Sequence, residues 1–154
     1  MSKEHESADL ILKLYDLRRE AVMRKAREWF FGFNPESVEE IGAAARGDKS
    51  AYFRMVVSYW DMACSFVNNG AIDEQMFADA TGEQNFVFAK LHPFITQIRE
   101  ASKQPQYLAH LERYVMRQPD AEQRLASLRA MSKQMSAQRE AAAGDGLREE
   151  AASA

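Results

Sequence analysis

A chain of 154 residues with 23 acidic and 20 basic side chains, a net charge of −3, has the length of one domain and is too near neutrality to point to an anionic partner. One cysteine, Cys64, excludes an internal disulfide and fits a reducing compartment, and no apolar run approaches the roughly 20 residues of a membrane span. Nine Phe, two Trp, five Tyr and eight Met supply a real core, and the polar start MSKEHESADL carries no apolar signal segment, so a cytoplasmic protein without a membrane span is expected.

Residues 1–7 read as a flexible lead-in, with Ser7 placed to cap a helix over Ala8 to Phe31. Leu10, Leu14, Leu17 and Ala21 form one apolar row of that helix, and Ile11, Tyr15, Val22, Ala26 and Trp29 the next. Its aromatic end, Trp29-Phe30-Phe31-Gly32-Phe33, is too bulky to be left in water. Asn34-Pro35 and, three residues on, Ser37 with Glu40 are alternative starts for a short acidic helix.

The organising element follows, a central helix over about 48–69. Phe53, Val56, Trp60, Ala63 and Val67 make one apolar row, and Tyr52, Met55, Tyr59, Met62 and Phe66 a second. Only a narrow polar stripe remains: Arg54, Ser58, Asp61, Ser65 and Asn68. A helix apolar over most of its circumference must be covered on several sides. Asp48 is its candidate N-cap, and Gly70 a left-handed stop with Ile72 as the hydrophobic contact.

Asp73 caps a turn or two containing Met76 and Phe77. Thr81 with Gln84 opens a longer helix, whose row Val87, Leu91, Phe94, Ile98 and Ala101 runs on across Pro93. That proline must forfeit the hydrogen bond to the Ala89 carbonyl, which predicts a kink. Pro105 begins a short helix with Tyr107, Leu108, Leu111, Tyr114 and Val115. Beyond Pro119 the aromatics vanish. Leu125, Leu128, Met131 (or Ser132) and Met135 keep a thin stripe in a helix over 119–142, and residues 143–154 read as a disordered tail.

Catalytic and cofactor signatures are missing: there is no Gly-rich phosphate loop, no paired cysteine and no His-Glu-x-x-His. His5, His92 and His110 lie far apart, so no metal is expected. No catalytic residue and no cofactor is assigned, and the chain reads as uncertain for enzyme activity, with a non-enzyme preferred. His92 reads as a hydrogen-bonded histidine at the kink and Cys64 as a small core residue. The one candidate ligand site is the polar stripe, with Arg54, Ser58 and Asp61 on one face and Glu83 brought in by a later helix. Its plainer reading is a solvated edge, or an Arg–carboxylate pair that orders the helices. From Asp61 to Glu83 there are five acids and no Lys or Arg, while Arg117 to Arg139 carries five bases against Asp120 and Glu122. That asymmetry allows docking of the last helix onto the bundle, head-to-tail association, or weak contact with nucleic acid.

Ala8–Arg19 (ADLILKLYDLRR), Tyr52–Cys64 (YFRMVVSYWDMAC), Val67–Asp73 (VNNGAID) and Gly82–Glu83 together resemble an uncharacterised family of small bacterial all-helical proteins, a domain of unknown function. The resemblance covers roughly residues 8–116 and leaves the last helix outside. It implies a helical fold and no activity. Many such members carry an N-terminal membrane segment, from which this chain departs.

The expected fold is all-α, a compact multi-helix bundle (8–116) around the buried central helix, with a peripheral C-terminal helix. The expected function is a non-enzymatic helical interaction or regulatory module. It would engage a protein partner or a second copy of itself through Leu125, Leu128, Met131 and Met135. Removing residues 119–154 would then leave the bundle intact and abolish association. The alternatives are a small-ligand binder or enzyme using Arg54, Asp61 and Glu83, and a weak nucleic-acid binder using the basic last helix.

Overall fold

The computed structural model describes residues 2–153, so Met1 of the expected lead-in and Ala154 of the expected tail lie outside the described residues. Among the described residues the fold is made of nine α-helices and one 3₁₀ turn, with no strand. The protein is all-α.

The expected first helix is two helices, α1 (Lys3–Arg18) and α2 (Ala21–Gly32). Apolar periodicity runs through the junction, but Glu20 breaks it. Its carboxylate accepts the Val22 and Met23 amides at 3.0 and 2.8 Å and so caps a new helix start. Ser2, rather than Ser7, caps α1, with its Oγ accepting the His5 amide. Most of the expected lead-in is therefore helical. Ser7 is buried within α1, where its Oγ accepts the Asp73 amide at 3.0 Å and ties α1 to a distant turn.

Of the two candidate starts for α3 (Val38–Arg46), Ser37 is the one used, its Oγ accepting the Glu40 amide. The central helix α4 (Ser50–Asn68) starts two residues later than expected, and Asp48 does not cap it. Phe53, Val56, Val57, Tyr59, Trp60, Ala63, Cys64 and Val67 are all buried in it. Its far end is a Schellman motif: Gly70 has φ +80°, its amide donates to the Val67 carbonyl, and the Ala71 amide donates to Phe66. Ile72 is buried beside it.

The chain goes on through α5 (Glu74–Ala80), α6 (Glu83–Leu91), the 3₁₀ turn His92–Phe94, α7 (Ile95–Ser102), α8 (Ala109–Met116) and α9 (Ala121–Ser153). α2 and α8 pack most extensively on α4, with α3, α5 and α6 also touching it, so the hub is covered on several sides as its circumference demands. Trp29 stacks on Phe33 at 5.0 Å between ring centroids, and Phe30 and Phe33 pack on Phe53. The aromatic end of α2 thus closes on the hub.

At Pro93 the helix passes through a 3₁₀ turn instead of a simple kink. Pro105 does not begin a helix either. Residues up to Leu108, at φ +56°, form turns, and α8 starts at Ala109. α9 lies across α6 and touches α2 and α8, which makes it the peripheral member of the bundle. The expected disorder from residue 143 is replaced by helix to Ser153, in keeping with the high helix propensity of the Ala, Arg, Glu and Leu there.

Candidate functional site

The polar stripe of α4 does not form one site. Asp61 faces α8, and its Oδ1 accepts the Leu111 amide at 2.9 Å. Leu108 stands at the N-cap of α8 without a side-chain hydrogen bond, so Asp61 supplies from another helix the cap that α8 lacks. Asn68 continues the seam, its Nδ2 donating to the His110 carbonyl and its Oδ1 accepting from Arg117. Arg54 and Ser58 spend their hydrogen bonds on their own helix, at Ser50 O and Arg54 O. Arg54, Ser58 and Asp61 do share an open groove of about 770 Å³ with Lys103, Gln104 and Tyr107.

Glu83 is not in that groove. Its carboxylate takes Arg18 Nη2 at 2.7 Å and Arg27 Nη2 at 2.7 Å, all three side chains being largely shielded from water. The break between α1 and α2 makes this possible. In an unbroken helix, residues nine positions apart point in opposite directions, and the turn at Arg19–Glu20 brings both guanidinium groups to one carboxylate. Arg18 also lies over the Tyr15 and Trp60 rings, at 4.6 and 5.3 Å. The hydrogen bond to Glu83 holds the Arg27 guanidinium above its ordinary pKa against the opposing effect of burial. The arrangement fastens the two opening helices to α6, with the carboxylate's partners already in place.

The apolar stripe of α9 is divided in two. Leu125 is 1 % exposed and belongs to the core, and Leu128 packs against the same core. Leu125 is closed to a partner by its own bundle, and Leu128 is partly covered. Met135 is half-buried, and Met131 is 46 % exposed. Ser132 is buried, its Oγ donating to Asn34 Oδ1 at 2.7 Å, while Asn34 Nδ2 donates to Ser136 Oγ. Four of the five basic residues also meet groups of the bundle, at its surface. Arg117 meets Glu74 at 2.8 Å, Lys133 meets Glu36 at 2.9 Å, and the Arg139 guanidinium lies 4.9 Å from the Phe31 ring. Arg129 donates to the Ala89 carbonyl, the one that Pro93 leaves without its helical partner. Removing residues 119–154 would therefore uncover core, contrary to the expectation that the bundle would survive unchanged. From Glu140 to Ser153 every side chain of α9 is exposed.

Sequence reasoning missed Lys90. It is 4 % exposed, and its Nζ donates to the Phe30 and Phe31 carbonyls at 2.7 Å each, in the last turn of α2. Burial pushes its pKa down to about 7. The signal was there: Phe86, Lys90 and Phe94 recur at i, i+4 and i+8, which puts a lysine in an apolar row. Lys90, Arg129, Lys133, Asn34 and Glu36 line a cavity of about 340 Å³ together with Pro35, Pro93 and Phe94.

Cys64 is buried, and desolvation raises its thiol pKa, as suits a core residue. His92 Nε2 lies 3.0 Å from Glu122. Among the described residues no three His, Cys, Asp or Glu side chains gather as a metal site, and no helix is long and apolar enough to cross a membrane.

Residues 5–118 match the model of a family described as Domain of unknown function (DUF4760). The match takes in α1 to α8 and stops short of α9. No curated protein and no solved structure matches the chain.

Proposed function

We propose that this chain, which belongs to the DUF4760 family, is a non-enzymatic interaction module that associates with a second copy of itself through the outer half of its last helix. The observation that carries this reading is the length of helix from Glu140 to Ser153 with every side chain exposed. The stretch continues an anchored helix, so it needs no nucleation of its own, but nothing packs on it, and Gly144 and Gly146 weaken it by up to about 1 kcal/mol each relative to alanine. Packing against a partner supplies the missing stabilisation. Leu147, 68 % exposed, is the large apolar side chain it offers, and Ala141, Ala142 and Ala143 allow close helix approach.

The surface differs from the one that sequence periodicity suggested. Leu125 and Leu128 hold α9 to its own bundle, and that anchoring presents the outer half at a fixed angle. A buried free thiol and no disulfide suit a cytoplasmic setting.

The test is native mass spectrometry of the full chain beside a chain ending at Arg139, with circular dichroism as the control for folding. The full chain should associate, and the shortened chain should be a folded monomer. Equal masses for the two chains would sink the reading.

A further inference from the structure

The geometry points to a binding site for a small organic anion, one carboxylate or phosphate group on a short apolar body, in the cleft between the end of α2, α6 and α9. This site is separate from the outer half of α9 and does not depend on the association proposed above.

A lysine ammonium has three N–H donors and no acceptor. In the protonated form, two of the Lys90 donors go to the Phe30 and Phe31 carbonyls, and among the described residues no other acceptor takes the third. Among those residues no carboxylate pairs with its Nζ either. A buried charge is costly unless it is paired. The two carbonyls satisfy hydrogen bonds, but they bring no full countercharge. Lys90 lines the cavity beside Arg129 and Lys133, so three basic residues line it against one carboxylate, Glu36, which already pairs with Lys133 in a largely exposed ion pair.

An anion in the cleft meets all three basic groups at once. It supplies the countercharge Lys90 lacks and gives Lys133 a better-shielded partner than Glu36. Pro35, Pro93 and Phe94 form the apolar part of the wall, which is why the ligand should carry a short apolar body and not be an inorganic ion alone. The cavity, about 340 Å³, has the size of a small-molecule site. A plain capping role for Lys90 at the end of α2 accounts for the two carbonyl bonds. It does not account for the cavity or for the two further cations from α9.

Isothermal titration calorimetry of the full chain with benzoate, and separately with phenyl phosphate, at pH 6, where Lys90 is protonated, and at ionic strength matched with sodium chloride, tests the site. At least one probe should bind saturably at one site per chain; benzoate alone would identify a carboxylate ligand, and phenyl phosphate a phosphate ester. Lys133→Ala and Arg129→Ala should each weaken that binding about tenfold, the effect of losing one charge-assisted hydrogen bond. Lys133 is half-exposed, so its removal spares the fold even if Lys90→Met does not. Failure of both probes to saturate, or binding unchanged in Lys133→Ala and Arg129→Ala, would overturn the proposal.

Discussion

The helices α4 and α9 are mirror images in composition. α4 is apolar nearly all round with a thin polar stripe, and α9 is polar nearly all round with a thin apolar stripe. In α4 the minority stripe is put to work inside the protein, where Asp61 and Asn68 bond to α8. In α9 it is used over half its length only. Leu125 to Met135 lie on the bundle, and the helix then runs on with nothing over it. A minority stripe thus has no fixed meaning. What it does depends on which neighbour arrives to satisfy it.

The inner end of the α9 stripe gives the largest expected effect. Leu125 is buried in the core beside α6. Leu125→Ala should destabilise the protein by about 2–4 kcal/mol, the usual cost of the lost transfer energy plus the cavity left behind. Urea denaturation followed by circular dichroism measures it. A change below about 0.5 kcal/mol, the range of ordinary surface substitutions, would mean that α9 is not part of the folded core.

That burial also marks where the sequence could be read and where it could not. The helical class, the buried hub and the Gly70 stop rest on local periodicity and turn chemistry, which a sequence displays directly. The break at Arg19–Glu20 does not disturb the apolar rows on either side, so it was invisible to periodicity. Only a capping carboxylate reaching Val22 and Met23 reveals it. Glu83 is expected beside Asp61 only if the helices after the hub fold back onto it. Yet its partners, Arg18 and Arg27, lie on the opening helices, and a pairing at that separation is tertiary information. Leu125 and Leu128 share a stripe by spacing, but a sequence does not say whether the covering surface belongs to the same chain.

Lys90 sharpens the comparison, being a polar group set in an apolar row beneath α9. Burial lowers its pKa from 10.5 to about 7, so above pH 7 the unfolded chain holds a proton that the folded chain has released. Stability therefore rises with pH through this window and levels off near the unfolded value of 10.5. Cys64 and the tyrosines Tyr59, Tyr107 and Tyr114 act in the opposite sense, because burial raises their pKa values and favours protonation in the fold. Their contribution falls away as pH climbs past the ordinary thiol value of 9.0. Between pH 7 and 9 the Lys90 effect stands clear and should add about 2 kcal/mol. Lys90→Met should flatten that slope in urea titrations at a series of pH values. An unchanged slope would place its origin elsewhere.

Asp61 tests the inward polar stripe. Asp61→Ala removes the cap on the Leu111 amide and should cost about 1 kcal/mol, with the fold retained. Asp61→Asn keeps an acceptor and should recover part of the loss. If thermal melts show no difference between the alanine variant and the parent chain, the stripe is not structural and its groove returns as a ligand site.

The smallest effect on stability belongs to the outer end of α9. Leu147 sits on a helix face with nothing packed against it, so Leu147→Ala should move the unfolding free energy by less than about 0.5 kcal/mol. It should nonetheless weaken self-association, because the lost side chain is buried only in the assembly. Leu125→Ala predicts the reverse pattern, a large loss of stability with the outer surface unaltered. Sedimentation velocity on both variants, under conditions where each is folded, separates the two roles. If Leu147→Ala leaves the sedimentation profile unchanged, the outer half of α9 does not make the contact. If it instead lowers stability as Leu125→Ala does, the outer half packs on its own bundle.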